Sequence, residues 1–296
     1  MKKVGIGIIG GSGLYEIKGW KAESKANIET PFGKPSGEYA IGELEGKRVA
    51  FLPRHGKGHR VSPNEINFLA NIYGFKMLGI EQLISVSAVG SMREDIGPGD
   101  IVIVDQFFDR TKLRPATFFK DGIVGHIGFS NPICPVLSNI LYESGKEKGY
   151  RMHKGGTYIC IEGPQFSTRA ESRIYRQWGV DVIGMTNIPE AKLAREAEIC
   201  YSTICMVTDY DCWHKTEETV SVEGVIKTLM ENVGKAKEII RASIPRIESQ
   251  RACECSRALE YAVITSPKHI SPYARKRLEL LLGKYWKKQA DIGQQD

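Results

Sequence analysis

The chain has 296 residues, of which 42% are hydrophobic, enough to bury one large core or two small ones. It contains no apolar stretch of about 18 residues or more, which excludes a membrane-spanning helix. Residues 251–296 hold nine Lys and Arg and five Asp and Glu, hence +4 of the formal net charge of +6, and the nearly neutral remainder argues against a nucleic-acid-binding core.

The predicted elements begin with a strand over Val4 to Ile9. This run is short, rich in glycine and without a small-residue cleavage site, so we read it as a strand rather than a signal peptide and expect a cytoplasmic protein. Residues 37–53 predict a hairpin that turns near Glu45-Gly46. Ser62-Pro63 predicts the start of a helix that continues to about Leu78.

The rest of the chain continues to alternate strands and helices. Strands are predicted at 82–88, 101–104, 157–161, 180–185 and 199–207, and helices at 135–148, 168–178, 189–198 and from 221 to about 242. This order predicts a single α/β domain over residues 1–250. Residues 251–296 form a C-terminal extension with a basic amphipathic helix from Ser271-Pro272 through Lys288, which we expect to dock on the same domain or a sister subunit rather than on membrane or RNA.

Seven cysteines are many for a cytoplasmic enzyme. Most lie in or beside apolar segments, where a free cysteine behaves as a small hydrophobe. No CxxC pair or Cys/His array predicts a zinc site, so we expect no metal. Cys253-Glu254-Cys255 looks exposed, and structural disulfides stay open because intracellular proteins of hyperthermophiles can be rich in them.

Two carboxylates follow the apolar run at 199–207. Asp209 and Asp211 stand where that predicted strand ends, and ligands of open α/β sheets bind at the carboxyl ends of strands. Two half-buried carboxyls cannot both ionise cheaply, so one should hold a proton near neutral pH. Taken alone, the pair is equally well explained as the N-terminal cap of the helix predicted from Ser221.

Other predicted strands end in groups suited to a small anion or a base. The turn Gly10-Gly11-Ser12-Gly13 does not fit a dinucleotide fingerprint, because Glu16 stands where the third glycine belongs. Its N–H groups and hydroxyl suit an anion instead. Arg54-His55 offers donors matched to phosphate, although such a pair taken alone is more often a surface salt-bridge site. Phe166 suits stacking on a planar heterocycle, although ordinary core packing explains it equally well.

Several multi-residue motifs occur in register over about residues 4–248. They are Gly10-Gly11-Ser12-Gly13-Leu14, Thr30-Pro31-Phe32-Gly33-Lys34-Pro35-Ser36, Arg54-His55-Gly56, residues 97–103, Asp105-Gln106-Phe107, Asp109-Arg110, residues 161–167, Arg169-Ala170-Glu171-Ser172, Met185-Thr186 and residues 208–213. Together they resemble the 5'-methylthioadenosine phosphorylases of the trimeric purine nucleoside phosphorylase group. The resemblance implies a phosphorylase/nucleosidase-type α/β fold, with a mixed central sheet flanked by helices and active sites at subunit interfaces.

The resemblance also implies a role for each site residue. The phosphate-binding residues would be Ser12, Arg54, His55, Ser87, Ala88 through its backbone, and Thr186. The nucleoside-binding residues would be Phe166 on the base, Met185 on the ribose, Val222 and Val225 at the 5'-methylthio group, and His126 from a neighbouring subunit. The expected assembly is a homotrimer or a hexamer of two trimers, without a cofactor, since inorganic phosphate is a co-substrate. The Cys-x-Cys tail resembles that of some hyperthermophilic archaeal members.

The chemistry of this family gives the two carboxyls separate roles. A protonated Asp209 would donate to N7 of the leaving purine, with Asp211 as its carboxylate neighbour, and the two should titrate as a coupled pair. A protonated carboxyl complements a 6-aminopurine, so we expect phosphate-dependent cleavage of 5'-methylthioadenosine, and also of adenosine. The alternatives are a 6-oxopurine phosphorylase, a nucleosidase that uses water, and a non-catalytic nucleotide- or RNA-binding protein.

Overall fold

The computed structural model describes residues 4–214 and 222–292, and the side chains in these ranges except 12, 15, 222–226 and 287–292. The strands are β1 (Ile6–Gly10), β2 (Lys21–Ala26), β3 (Tyr39–Leu44), β4 (Lys47–Pro53), β5 (Gln82–Ser91), β6 (Ile101–Ile103), β7 (Gln106–Arg110), β8 (Met152–Lys154), β9 (Thr157–Ile161), β10 (Val182–Gly184) and β11 (Cys200–Asp209). The helices are α1 (Phe68–Met77), α2 (Pro135–Glu147), α3 (Arg169–Gln177), α4 (Asn187–Glu196), α5 (Val222–Ser243) and α6 (Pro272–Ile292). None of these helices is long and apolar enough to cross a membrane.

The strands form one mixed sheet covered by helices on both faces. The order is β2-β3-β4-β1-β5-β10-β9-β7, while β11 pairs with β5 and β6, and β6 with β8. Alternate residues of β11 enter different cores: Tyr201 and Cys205 join α1 and α4, whereas Ile204 and Met206 join α2 and α5. A strand with both faces covered needs apolar residues on both, which explains the long apolar run. The predicted fold class is confirmed.

The hairpin and the start of the first helix test the local predictions. The β3–β4 hairpin turns at Glu45 and Gly46, both with positive φ (46° and 75°), as a two-residue turn of this kind requires. The predicted helix start at Ser62-Pro63 is wrong. Ser62 closes a turn with Glu65 instead, and α1 is capped by Asn67, whose side chain accepts the Ala70 N–H at 3.1 Å.

A gap in the pairing of β5 positions the site. β1 pairs with β5 only up to Ser85, and β10 pairs with it only at Gly90 and Ser91. Between these points, residues 86–89 keep β11 as their neighbour on one side and, among the described strands, have none on the other. Sheets of this class bind ligands where neighbouring strands diverge, so this gap is where a ligand is expected.

The C-terminal extension packs against the core that contains α1 and α4. Leu278, Leu281 and Leu282 of α6 are buried in that core. The backbone carbonyl of Arg277 accepts the Tyr73 hydroxyl at 2.9 Å. These contacts explain the apolar stripe of the helix, while the division into a domain and an extension stays a prediction.

Candidate active site

A cavity of about 490 Å³ opens at the gap beside β5, a size suited to a nucleoside. Nine of the predicted site residues line it: Arg54, His55, Ser87, Ala88, Phe166, Met185, Thr186, Asp209 and Asp211. The fold therefore brings the anion-binding candidates, the aromatic side chain and the carboxyl pair to one place. Phe166 is 76% exposed, so much of its surface is open to a ligand or a neighbour.

Four predicted residues are not placed in the cavity. The side chains of three lie outside the described residues: Ser12, Val222 and Val225. Gly11 and Gly13, on either side of Ser12, do line the cavity. His126 does not line it in this chain; its N–H donates to the carbonyl of Ala262 at 2.8 Å. Its predicted role in a neighbouring subunit stays a prediction.

The carboxyl pair is fixed by the end of β11. Asp211 adopts φ of 54°, a conformation that Asp tolerates, and its N–H donates to Asp209 Oδ1 at 2.8 Å. A Cβ atom on Gly90 would lie 2.9 Å from Asp209 Oδ1, so only glycine lets β5 run this close to the carboxyl. The pair is thus a built feature of the sheet edge rather than a simple helix cap.

Burial raises the pKa of both carboxyls. For Asp209 burial is the main cause, opposed by hydrogen bonds from the Thr208 hydroxyl and the Asp211 N–H. For Asp211 burial again comes first, and the negative charge of Asp209 raises its pKa further. This direction agrees with the prediction that one of the two holds a proton near neutral pH.

Thr208 gives Asp209 a way to hold that proton. Its hydroxyl lies 2.6 Å from Asp209 Oδ2 and 3.2 Å from the carbonyl oxygen of Val89. A hydroxyl has only one proton to donate. When Asp209 is ionised, Thr208 donates to it; when Asp209 is protonated, Asp209 can donate to Thr208, which then donates to Val89. Both protonation states are therefore accommodated without moving the chain.

Asp211 has a different partner. The Ser172 hydroxyl in α3 donates to Asp211 Oδ2 at 2.5 Å, which favours the ionised form. The indole N–H of Trp213 donates to the carbonyl of Ser91 at 2.7 Å, and the Arg176 guanidinium lies over its ring at 3.7 Å. These contacts fix the loop that carries Asp211.

Most of the hydrogen-bond donors of Arg54 are already used by protein groups, which the sequence did not indicate. Its guanidinium is buried and forms an ion pair with Glu190, with Nε donating to Oε1 at 2.5 Å and Nη2 to Oε2 at 3.1 Å. Other N–H groups donate to the Ser85 hydroxyl and the Val86 carbonyl. Of its five donors, one on Nη1 is left for a ligand. Arg54 therefore contributes a single donor and little net charge, rather than a two-pronged clamp.

His55 is neutral near pH 7. Burial and the charge of Arg54 lower its pKa to about 4. Its Nδ1 lies 2.8 Å from the carbonyl of Val61, so the ring proton sits on Nδ1 and donates there, leaving Nε2 as an acceptor. His59 stacks on the ring at 4.2 Å and also lines the cavity. A protonated phosphate oxygen is the partner that suits this acceptor.

A group of hydroxyls lies beside Ala88. Ser87 Oγ is 2.8 Å from Thr186 Oγ1 and 3.3 Å from the Tyr158 hydroxyl, which also accepts the Thr186 N–H at 3.4 Å. Arg114 donates to the carbonyl of Met185 at 2.7 Å and so helps to fix the position of Thr186, the next residue. Hydroxyls that can each donate or accept suit the oxygens of phosphate and ribose.

Sequence reasoning missed the residues that support this site. Glu190, Tyr158 and His59 were given no role, and Ser172 and Thr208 appeared only inside motifs. Glu190 carries the one usable signal: a carboxylate next to Ile188-Pro189 at the start of an apolar helix needs a buried partner. The others lie on elements whose mutual packing no local pattern reveals.

Comparisons with known proteins agree with this geometry. Residues 5–245 match the family model described as the phosphorylase superfamily. An S-methyl-5'-thioadenosine phosphorylase of Geobacter sulfurreducens is 57% identical over 95% of this chain and 98% of its own length, and one of Thermofilum pendens is 52% identical over 89% and 100%.

Solved structures give the same result. A methylthioadenosine phosphorylase from an antarctic soil metagenomic library superposes with a TM-score of 0.90 at 47% identity, covering 95% of this chain and all of that one. The Schistosoma mansoni enzyme in complex with adenine superposes at 0.82, with 35% identity over 87% and 96%. Sequence, fold and cavity thus agree, and the chain belongs to the phosphorylase superfamily and, within it, to the S-methyl-5'-thioadenosine phosphorylases.

Proposed function

We propose that the chain catalyses the reversible, phosphate-dependent cleavage of 5'-methylthioadenosine to adenine and 5-methylthioribose 1-phosphate. The observation that carries this proposal is that the carboxyl pair Asp209 and Asp211, with raised pKa values, lies in the same cavity as the cluster of hydroxyls around Ser87. The carboxyl pair can supply a proton, and the hydroxyls suit an anion. The names of the relatives support the same substrate.

The reaction needs a nucleophile on one side of the sugar and an acid on the other. Phosphate attacks C1' as the C1'–N9 bond breaks, through a transition state with oxocarbenium character whose positive charge the phosphate stabilises. The bonding electrons pass to the purine, which takes up the Asp209 proton at N7. Asp209 is then a carboxylate and regains its proton from solvent. No organic cofactor is required, because phosphate is the nucleophile and Asp209 is the acid.

Burial raises the pKa of Asp209 and favours a proton there, so in this proposal Asp211 is the ionised partner. The Ser172 hydroxyl favours its charged form, and a charge at Asp211 disfavours a second charge at Asp209. With the purine bound, protonated Asp209 donates to N7 instead of to Thr208 and accepts from the 6-amino group of adenine. A 6-oxopurine offers two acceptors at that edge, so the carboxyl pair disfavours inosine and guanosine.

The apolar part of the cavity suits the 5'-methylthio group. Leu229, Met230 and Val233 of α5 line the cavity, and the predicted residues Val222 and Val225 belong to the same helix. We further propose a cytoplasmic homotrimer, or a hexamer of two trimers, in which His126 of a neighbouring subunit completes this pocket.

The test follows adenine release from methylthioadenosine with and without phosphate. Release that needs phosphate supports phosphorolysis, release in its absence indicates a nucleosidase, and no release in either condition overturns the proposal.

In Asp209→Asn, loss of the acid should lower kcat by about 10²–10⁴-fold. An amide donates where the acid accepted, so methylthioinosine should lose less. Asp105→Asn, outside the cavity, is the matched control; unchanged cleavage in Asp209→Asn contradicts the acid role.

A further inference from the structure

Four cysteines from three separate segments converge outside the cavity described above. The Sγ atoms of Cys134, Cys200, Cys253 and Cys255 all lie within 4.8 Å of one another. Cys253 Sγ is 3.3 Å from that of Cys200 and 3.7 Å from that of Cys134. All four are free thiols, and only Cys253 is partly exposed.

Rigid elements hold these cysteines in place. Cys134 is the N-terminal cap of α2, where the helix dipole favours a thiolate, and its N–H donates to the carbonyl of Tyr201 at 2.9 Å. Cys200 begins β11, with its N–H donating to Glu81. Cys253 and Cys255 flank the start of a short 3-10 helix in the C-terminal extension. Two thiols thus belong to the α/β core and two to the extension.

We propose that these four thiolates bind one Zn²⁺ ion, which fastens the C-terminal extension to the α/β core. A tetrahedral zinc site with Zn–S bonds of about 2.3 Å has sulfur atoms about 3.8 Å apart. Two of the sulfur–sulfur separations are 3.3 and 3.7 Å and all are within 4.8 Å, so small side-chain movements complete the tetrahedron. A cluster of several irons needs room for bridging sulfides between its ligands, which this spacing does not leave.

The arrangement suits one shared ion better than separate disulfides. A disulfide requires two sulfur atoms about 2.0 Å apart. Cys253 instead lies close to both Cys134 and Cys200. Four soft thiolate ligands in a largely buried group are the donor set that zinc prefers for a structural site.

The surroundings provide access and compensating charge. A second cavity, of about 220 Å³, touches Cys134, Cys200 and Cys253 and gives an entry path from solvent. Arg246 and Arg251 line it together with Glu248. Zinc with four thiolates carries a net charge of −2, and Arg251 can offset part of it, whereas Arg246 is already paired with Glu147.

The test measures metal on the full chain, purified anaerobically with a reducing agent and incubated with Zn²⁺, then freed of excess by gel filtration. Mass spectrometry of the elements should find about one zinc per chain. Replacement by Co²⁺ should give the visible bands of tetrahedral thiolate coordination. Absence of bound zinc, preference for iron or copper, or loss of thiols to disulfides in the reduced preparation overturns the proposal.

Variants separate the site from general effects of cysteine. Cys255→Ser should lose the cobalt bands and bind zinc at least about 10-fold more weakly. Cys160→Ser, also a buried free cysteine but outside the cluster, should keep both. A strong chelator should lower the Tm of wild type and Cys160→Ser, which decides the question even if Cys255→Ser does not fold. Unchanged zinc affinity in a folded Cys255→Ser, or a Tm that ignores the chelator, contradicts the site.

Discussion

Ser172 and Thr208 show how neighbouring hydroxyls give two adjacent carboxyls different roles. Thr208 allows Asp209 either to accept or to donate a hydrogen bond. Ser172 donates to Asp211 at 2.5 Å, and this hydrogen bond favours the ionised form of Asp211. Two acids with similar burial therefore receive different roles from the hydroxyls beside them. The difference is chemical, because both side chains sit at the end of the same strand.

We therefore expect Ser172→Ala to move the pH dependence of catalysis. The Ser172 hydrogen bond lowers the pKa of Asp211 against the effect of burial, so its loss should raise that pKa further. Asp211 must be ionised in the active form, so the acidic limb of kcat/KM should shift to higher pH. Ser144→Ala, a buried hydroxyl outside the cavity, should leave that limb in place. An unshifted limb in Ser172→Ala means that Asp211 does not control it.

At the scale of elements, α6 packs on the core through one face and leaves the opposite face exposed. Leu278 is buried in the core with α1, whereas Leu280, two residues on, is 42% exposed. Leu278→Ala should reduce the free energy of unfolding by about 2–5 kcal/mol because it leaves a cavity. Leu280→Ala should change it by about 0.5 kcal/mol or less. Urea denaturation of both variants checks this, and equal effects mean that the helix is not docked as described.

The C-terminal end of α4 carries a pH-dependent element. Glu196 is buried and accepts the Thr117 hydroxyl and the Phe118 N–H, both at 2.7 Å. Burial raises its pKa from the ordinary 4.5 to about 7. The folded chain holds this proton more tightly than the unfolded chain, so its stabilising effect is complete below about pH 4.5 and is lost as the pH rises through 7.

Glu196→Gln should remove that pH dependence. Relative to wild type, the variant should gain up to about 3 kcal/mol of stability between pH 4.5 and 8, since one pKa unit corresponds to about 1.4 kcal/mol. The amide can still accept from Phe118 and donate to the Thr117 oxygen. Thermal unfolding over this pH range measures the difference, with the exposed Glu38→Gln as control. A constant difference between variant and wild type rules out Glu196 as the source.

At the scale of the whole molecule, the sequence predicted what depends on local pattern. The apolar run of β11 and the Glu45-Gly46 turn are local, and both were found. β2 was not, because Lys21–Ala26 is polar and almost wholly exposed and has no alternating pattern. The pairing of Arg54 with Glu190 joins residues 136 apart in sequence and depends on how α4 packs on the sheet. The four cysteines likewise meet only through tertiary structure, which rules based on short spacings cannot detect.

The last prediction concerns the assembly and rests on the proposed role of His126. If each pocket combines Asp209 of one subunit with His126 of its neighbour, Asp209→Asn and His126→Ala damage different subunits of the same site. Each variant alone should be impaired at low methylthioadenosine, the first in kcat and the second in KM. Unfolding and refolding the two variants together should restore about a quarter of the sites in a cyclic assembly, because one random pairing in four is intact.

The control is the two variants refolded separately and then combined, since activity is not expected to recover unless both variants are mixed within one oligomer. Activity that never exceeds this control, or a His126→Ala variant with normal KM, would place the 5' pocket within a single chain.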